Sequence, residues 1–149
     1  MLDWQIKKFS EITKEELYEI LYLRNKIFVV EQNCIYNDTD KKDAWATHLF
    51  VREKGKIIAY SRIFKSGDYY ENHSSIGRVL VEKGKRQLKI GTQIIEESVI
   101  FCKKNFPREP IKISAQAHLK KFYERCGFVY KGEAYLEDGI PHCAMYYSS

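Results

Sequence analysis

Residues 79–95, VLVEKGKRQLKIGTQII, join a β-branched run to an amphipathic segment through a basic loop that contains glycine. This pattern predicts a strand, a loop and a helix in direct succession, and the fold must accommodate that unit. Cations crowd the entry to the predicted helix: Lys83, Lys85, Arg86 and Lys89. Because a helix N-terminus already carries positive partial charge, this crowding favours a strongly anionic ligand. Basic turns before helices also serve solubility, and the loop by itself leaves that alternative open.

The length and composition predict one globular domain. The chain has 149 residues, of which 44% are hydrophobic and 14% aromatic, so it can bury a core and is unlike a disordered chain. The net charge is +5, and basic residues are mixed with acidic ones along the whole chain. This mixture gives no clear basic patch for nucleic acid, and the modest positive charge suits a small anionic ligand at least as well as a nucleic acid.

The sequence also bears on compartment and metal chemistry. No apolar run approaches the length of a membrane span, and the charged, alternating N-terminus is unlike a signal peptide. The cysteines are widely spaced and form no CxxC pair: Cys34, Cys102, Cys126 and Cys143. We therefore expect reduced thiols in a cytoplasmic protein that holds no metal and contacts no membrane.

Periodicity predicts the element order β-α-β-β-β-α-β-α-β-β. Thr13 and Glu16 form a capping-box pattern at the start of the first helix, and Arg24 and Glu31 fall on one stripe of that helix. This stripe is either the edge of a packed face or the polar lining of a pocket. The order predicts an α/β (mixed α+β) fold with one central sheet and helices packed on it.

The basic loop matches neither of two common phosphate motifs. A P-loop needs G-x-x-x-x-G-K-[ST], but the spacing of Gly77 to Gly84 does not fit and Arg86 stands at the Ser or Thr position. The G-x-G-x-x-G fingerprint of dinucleotide-binding folds is absent. A phosphate site here must therefore use backbone N–H groups at a helix start, with Lys and Arg adding charge.

Two separated motifs resemble those of the GCN5-related N-acetyltransferases. The pattern [QR]-x-x-G-x-[GA] of that family corresponds to residues 86–91, RQLKIG, and its FYE-x-x-GF pattern to residues 122–128, FYERCGF. The segments LRNKIFVVEQNC, GRVLV, AQAHLKKFY and EDGIPH resemble the ElaA-type acyltransferases of the family. The resemblance covers the whole chain and implies a GNAT-like domain over residues 1–149, with a mixed, mostly antiparallel sheet that splays open beside one strand.

The resemblance implies acetyl-CoA as the acyl donor and a primary amine as the acceptor. The pyrophosphate would lie on the N–H groups of residues 86–91, and the pantetheine arm along residues 79–81, where a backbone N–H near Leu80 would polarise the thioester carbonyl. The implied coenzyme-binding residues are Val79, Leu80, Val81, Arg86, Gln87, Leu88, Lys89, Ile90, Gly91 and Gln116. Two of them depart from the pattern, since Lys89 replaces a glycine and Gln116 stands where many relatives have Asn.

Tyr123 matches the position of the general acid of the family. A phenol with a pKa near 10 is a weak acid toward a thiolate whose own pKa is about 8.5, so its effect would be modest. The alternative is a core tyrosine with a satisfied hydroxyl. An alkylammonium must lose a proton before attack, and the candidate bases are Glu31, His118 and Glu82, directly or through water.

Four residues are candidates for acceptor binding: Arg24, Arg62, Arg78 and His142. Arg62 and Arg78 lie on neighbouring predicted strands among apolar residues, and buried arginines need partners. We expect Glu31 or an acidic group of the substrate to supply them, which suggests an acceptor with both an amine and a carboxylate or phosphate. His142 would shape the mouth of the pocket or simply belong to a turn.

Three other functions remain open at this stage. The first is a non-catalytic module that senses coenzyme A or a metabolite on the same fold. The second is an enzyme that acetylates peptides, and the third is a nucleic-acid binder, which the charge pattern does not favour. The tyrosine-rich final strands also suggest a homodimer interface.

Overall fold

A four-stranded antiparallel sheet forms the first half of the protein. The computed structural model describes residues 1–148, apart from the side chains of Gln87 and Leu88. The strands lie in chain order: β1 (Leu2–Lys8), β2 (Thr47–Glu53), β3 (Lys56–Phe64) and β4 (Ser75–Val81). The predicted hairpin between β2 and β3 turns at Lys54 and Gly55, which both have positive φ angles.

The first helix begins as predicted and then changes its geometry. Thr13 Oγ1 accepts from the Glu16 backbone N–H at 3.1 Å, and the Glu16 carboxylate accepts from the Thr13 N–H at 3.0 Å. Helix α1 (Lys14–Arg24) continues as a π-helix, Asn25–Glu31. The wider π turns shift the residues that follow, so the prediction that Arg24 and Glu31 share a stripe is wrong. Arg24 is fully buried and Glu31 is exposed.

The second half builds another antiparallel sheet around its last strand. This sheet contains β5 (Ile111–Gln116), β6 (Val129–Tyr130), β7 (Tyr135–Glu137) and β8 (Ile140–Tyr147), and β8 pairs with the other three. The sequence predicts two strands after the last helix, whereas the structure has three. A loop at residues 131–134, where Gly132 has a φ of +92°, separates β6 from β7.

Helices cover both faces of the first sheet. Helix α2 (Ile90–Asn105) packs on one face, where Ile94 and Ile95 join the larger core. Helix α1 and the π-helix cover the opposite face, where Ile20 and Ile27 pack in a second core. The third helix, α3 (Lys120–Arg125), is capped by Cys126, and the predicted Gly127 follows it with a φ of +100°.

The two sheets touch at one end and separate at the other. Ser74 and Ile111 form a parallel bridge, and the Lys112 N–H donates to the Ser74 carbonyl at 2.9 Å. Beyond this bridge, no strand pairing joins β4 to β5 within residues 1–148. The mixed, mostly antiparallel and splayed sheet flanked by helices is therefore confirmed, and the gap between β4 and β5 opens the site.

Candidate active site

A cleft of about 660 Å³ opens where β4 and β5 separate, and we call it the coenzyme cleft after the predicted coenzyme-binding residues that line it. Its walls come from β4, the start of α2, the π-helix and the segment around α3. Most of the predicted coenzyme residues line it, namely Val79, Leu80, Val81, Arg86, Gly91 and Gln116. Glu31, His118 and Tyr123 line the same cleft. The structure therefore brings together residues that lie far apart in the sequence.

The basic loop presents an uncapped helix start to the cleft. Residues 83–88 form a short 3₁₀ helix, and Lys89 then takes a left-handed conformation with φ of 59°. A lysine in this conformation costs roughly 1 kcal/mol compared with glycine. The Lys89 side chain makes no capping hydrogen bond at the start of α2, so the first N–H groups of this helix can bind an anion. Ile90 is buried in the core and can contribute only its backbone.

An ion pair spans the mouth of the cleft. Arg86 Nη1 lies 2.7 Å from Glu31 Oε2, and Arg86 Nε donates to the Val81 carbonyl at 3.0 Å. Glu31 therefore contacts the cation that is expected to meet the coenzyme phosphates. Lys85 is also paired, since its Nζ lies 2.5 Å from Glu53 Oε1. The predicted contacts of Gln87 and Leu88 lie outside the described side chains.

A bulge in β4 faces the point where the sheets separate. Arg62 of β3 pairs with Gly77 and Tyr60 pairs with Leu80, so Arg78 and Val79 have no partner in this register. Arg78 has a φ of 48°, which is uncommon for a residue that is not glycine. A bulge interrupts the ladder and leaves backbone groups unpaired. The unpaired residues directly precede Leu80, where the sequence predicts an N–H for the thioester carbonyl.

Tyr123 stands between two cavities. It lines the coenzyme cleft and also a smaller inner cavity of about 110 Å³. Phe122 and Phe128 hold its ring, with centroids at 5.2 and 5.9 Å. Burial raises the pKa of Tyr123 above its usual range, so the phenol stays protonated at neutral pH and can donate a hydrogen bond.

Polar side chains line much of the inner cavity, which is where a second substrate could bind. Its polar lining includes Gln32, Tyr36, Arg78, Ser114, Gln116, Glu137 and His142. Gln116 Nε2 donates to Gln32 Oε1 at 3.2 Å, and both residues line the coenzyme cleft as well. The two cavities therefore meet at Tyr123 and at this amide pair.

A buried ion network lies behind the inner cavity. Arg24, Arg62 and Arg78 meet three aspartates that were not predicted as their partners: Asp38, Asp40 and Asp43. Arg24 Nε donates to Asp38 Oδ2 at 2.7 Å, and Arg62 Nη1 donates to Asp40 Oδ1 at 2.8 Å. Arg78 Nε lies 2.9 Å from Asp38 Oδ1. The expectation that Glu31 or an acidic substrate supplies these partners is therefore wrong.

The network also corrects the acceptor-binding assignments. Arg24 and Arg62 are almost completely buried and already paired, because the loop after the π-helix folds back over them. Arg78 does line the inner cavity, with a side chain that is 17% exposed, and His142 lines it too. Burial alone would raise the pKa of Asp40, but hydrogen bonding to Arg62 lowers it to about 2.

The predicted bases do not line the inner cavity. His118 is exposed and lines the coenzyme cleft, and Glu82 pairs with Lys56 at 3.2 Å. Asp138 and Glu137 do line the inner cavity, and Glu137 is the carboxylate that lies beside His142. The sequence indicates Glu137 only through a turn signal and the EDGIPH segment. Strand alternation across the β7–β8 hairpin would have predicted the position of Glu137. Tyr135 pairs with His142, and Glu137 lies two residues after Tyr135, so it is on the same face of the sheet.

The described residues, 1–148, show no metal site and no membrane-spanning helix. Among these residues, no group of three or more His, Cys, Asp or Glu side chains is arranged to hold a metal ion. None of the helices described is long and apolar enough to cross a membrane. All four cysteines are free thiols.

Comparison with known proteins gives matches along nearly the whole chain. The family model of the acetyltransferase (GNAT) domain matches residues 8–149. The protein ElaA of Escherichia coli strain K12 is 41% identical over 147 residues, which cover 97% of this chain and 95% of that protein. The crystal structure of E. coli ElaA superposes with a TM-score of 0.91 at 39% identity and covers 99% of both chains. An acyl-CoA N-acyltransferase from Pseudomonas aeruginosa superposes with a TM-score of 0.90 at 38% identity, covering 97% of this chain and 99% of that one.

Proposed function

The chain belongs to the GCN5-related N-acetyltransferase (GNAT) family of acyltransferases, and we propose that it transfers an acetyl group from acetyl-CoA to a primary amine of a small acceptor. The observation that supports this proposal is the meeting of two cavities at Tyr123. Separate cavities with a common wall suit two substrates bound together. The amine would then attack directly in a ternary complex.

The cleft residues fit coenzyme A in both shape and charge. The uncapped start of α2 and the nearby Arg86 and Lys89 suit phosphate groups, and Val79, Leu80 and Val81 offer a strand edge to an extended arm. Gln116 lies at the inner end of the cleft. When bound, acetyl-CoA supplies a thioester whose acyl carbon an amine can attack.

The chain supplies three groups around the proposed reaction centre. Backbone N–H groups at the β4 bulge, near Leu80, would polarise the acyl carbonyl. Tyr123, kept protonated by its raised pKa, would donate to the leaving sulfur. The Gln116–Gln32 pair would separate the coenzyme side from the acceptor side.

The proposal is tested by a screen of amines with acetyl-CoA, with release of the free thiol as the readout. Tyr123→Phe should lower kcat about 10- to 100-fold, since it removes one proton donor from the reaction centre. Its matched control is Tyr130→Phe, at a partly buried tyrosine that lines neither cavity, which should leave kcat unchanged. Calorimetry should find unchanged coenzyme A binding in both variants.

Three outcomes would each contradict one part of this proposal. Coenzyme A binding without acetyl transfer to any amine would favour the sensor module instead. A Tyr123→Phe variant with full kcat would remove this residue from the mechanism while leaving acyl transfer in place. A basic peptide acetylated better than every small amine would replace the small acceptor by a protein.

The proposal also covers the compartment, the metal requirement and the binding partners of the enzyme. We propose a cytoplasmic enzyme that uses no metal, binds no nucleic acid or membrane, and can form a homodimer. Sedimentation at several protein concentrations would test the dimer. Salt-dependent retention of DNA or RNA would contradict the assignment of a small acceptor.

A further inference from the structure

The hydrogen bonding of His142 fixes which of its ring nitrogens can accept. Nδ1 lies 2.7 Å from the Ile140 carbonyl oxygen. A carbonyl only accepts, so Nδ1 carries the proton, and in the neutral ring Nε2 is then an acceptor. The His142 side chain is 9% exposed and lines the inner cavity. A buried acceptor therefore faces the space assigned to the second substrate.

A carboxylate stands beside this nitrogen. Glu137 Oε2 lies 3.6 Å from His142 Nε2, which is beyond hydrogen-bond distance. The other oxygen, Glu137 Oε1, accepts from Ser114 Oγ at 3.0 Å, which holds the carboxylate against the cavity wall. Among the described residues, no donor forms a hydrogen bond with Glu137 Oε2 or His142 Nε2, and the Glu137 side chain is 43% exposed, so it is accessible to a ligand. A cation with several N–H donors would satisfy both acceptors.

The charges around the cavity favour the same kind of ligand. The buried network balances three arginines with three aspartates. Arg78, the cation among the described lining residues, is already paired with Asp38 at 2.9 Å and lies 3.5 Å from Asp40. Within residues 1–148, Glu137 forms no ion pair with a lysine or arginine, and Asp138 also lines the cavity. An additional carboxylate on the acceptor would therefore meet two carboxylates of the lining that no lysine or arginine in this range balances.

We infer that Glu137 and His142 Nε2 bind the amino group of the acceptor, and that this acceptor carries no carboxylate or phosphate near its amine. The inference rests on the proposed function and names the substrate class for it. The ammonium form binds first and gives one proton to solvent. The two remaining N–H groups stay on Glu137 and His142, which leaves the nitrogen lone pair free for attack.

The strand register brings this pair close to the reaction centre. His142 pairs with Gln116 across β5 and β8, and Gln116 lines both cavities. An amine held by His142 is therefore one strand away from the coenzyme cleft. Tyr123 lines both sides of that boundary.

The test uses three acceptors of equal chain length: 1-aminobutane, 1,4-diaminobutane and 4-aminobutanoate. The wild-type protein should give a kcat/KM for the first two that is at least about tenfold higher than for the third. Glu137→Gln should raise the KM for 1-aminobutane about tenfold or more and leave the KM for acetyl-CoA unchanged. It should also reduce the difference in kcat/KM between 1-aminobutane and 4-aminobutanoate. Glu133→Gln is the matched control, because Glu133 is an exposed carboxylate in the loop before β7.

A binding measurement keeps this inference separate from the proposed function. Calorimetry with 1,4-diaminobutane and the protein–coenzyme A complex should show binding at least tenfold weaker for Glu137→Gln than for Glu133→Gln. Equal binding by both variants, or a wild-type preference for 4-aminobutanoate, would overturn the inference while acetyl transfer stood. Absence of acetyl transfer with intact, Glu137-dependent diamine binding would overturn the proposed reaction and leave the recognition pair in place.

Discussion

Removing the charge of Asp38 should destabilise the protein and disturb the acceptor side of the site. The side chain is fully buried and serves three partners. It accepts from Arg24 Nε at 2.7 Å and from the Tyr36 hydroxyl at 2.7 Å, and it lies 2.9 Å from Arg78 Nε. Asp38→Asn keeps the shape of this residue but leaves two arginines with less negative charge than they need.

The expected loss of stability follows from the burial of the pair. Breaking a buried ion pair costs about 3–5 kcal/mol, because an uncompensated charge remains inside the protein. With a urea m-value of about 2 kcal/mol/M, the unfolding midpoint should fall by about 2 M. The melting temperature should fall by about 10 °C. Asp3→Asn, at an exposed position of β1, should change the free energy of unfolding by less than about 0.5 kcal/mol.

The same substitution should separate the two halves of the site. Tyr36 and Arg78 line the inner cavity, whereas neither lines the coenzyme cleft. Asp38→Asn should therefore raise the KM for the amine in a thiol-release assay and leave coenzyme A affinity by calorimetry unchanged. A loss of less than about 1 kcal/mol in urea unfolding would refute the reasoning, since it would mean that Asp43 and solvent suffice for the arginines.

Three further predictions concern other parts of the molecule. Gly127→Ala should cost about 2–4 kcal/mol in urea unfolding and Gly132→Ala only about 1, because both have φ near +100° but only the first would place a Cβ 2.7 Å from the Tyr147 ring; equal losses would contradict the clash. Glu31→Gln should tighten coenzyme A binding several-fold in calorimetry, since it removes an anion that pairs at 2.7 Å with Arg86, the arginine proposed to bind the phosphates. Weaker binding would show that Glu31 helps to hold the coenzyme. The pKa of Asp40 is about 2 in the folded protein against an ordinary 3.8, because the effect of its arginine partner outweighs that of burial. Asp40 therefore contributes about 2 kcal/mol to the free energy of unfolding, which is complete above pH 4 and is lost as the pH falls toward 2. Asp40→Asn should flatten this part of the plot of stability against pH, and an unchanged slope would argue against the shift.

The secondary structure of the proposed coenzyme side could be predicted because it depends on local sequence. One continuous stretch, residues 79–91, contains the strand edge, the basic loop and the start of α2. The motif even indicates where the backbone must turn, since Lys89 takes the left-handed conformation at the position where the family pattern has glycine. The Thr13 capping box and the Gly127 helix end are equally local and also appear as predicted.

The acceptor side could not be predicted in the same way, because its contacts are long-range. Residues 35–47 are polar and indicate an exposed loop, yet Asp38 in this loop is buried against Arg24 and Arg78. A hydrophobicity pattern does not show which charges will pair after folding. A period of 3.6 residues per turn predicts that Glu31 and Arg24 lie on one stripe. The π-helix has more residues per turn, so this period does not apply to residues 25–31.

The proposed coenzyme side comes largely from one continuous stretch of the chain and the acceptor side from several distant segments, so the two sides can change independently. The inner cavity joins segments around Tyr36, Arg78, Ser114 and Glu137, and the Cys34 thiol touches the Asp138 carbonyl at 3.4 Å to connect the first and last of them. Substitutions in the loop after the π-helix or in the β7–β8 hairpin can therefore change the acceptor without altering residues 79–91. The two general motifs, residues 86–91 and 122–128, contribute to the coenzyme cleft, whereas the proposed acceptor pair forms the two ends of the EDGIPH segment. The general motifs therefore specify acyl transfer more tightly than they specify the amine, and substitutions at Glu137 and His142 are the sharper test of the acceptor.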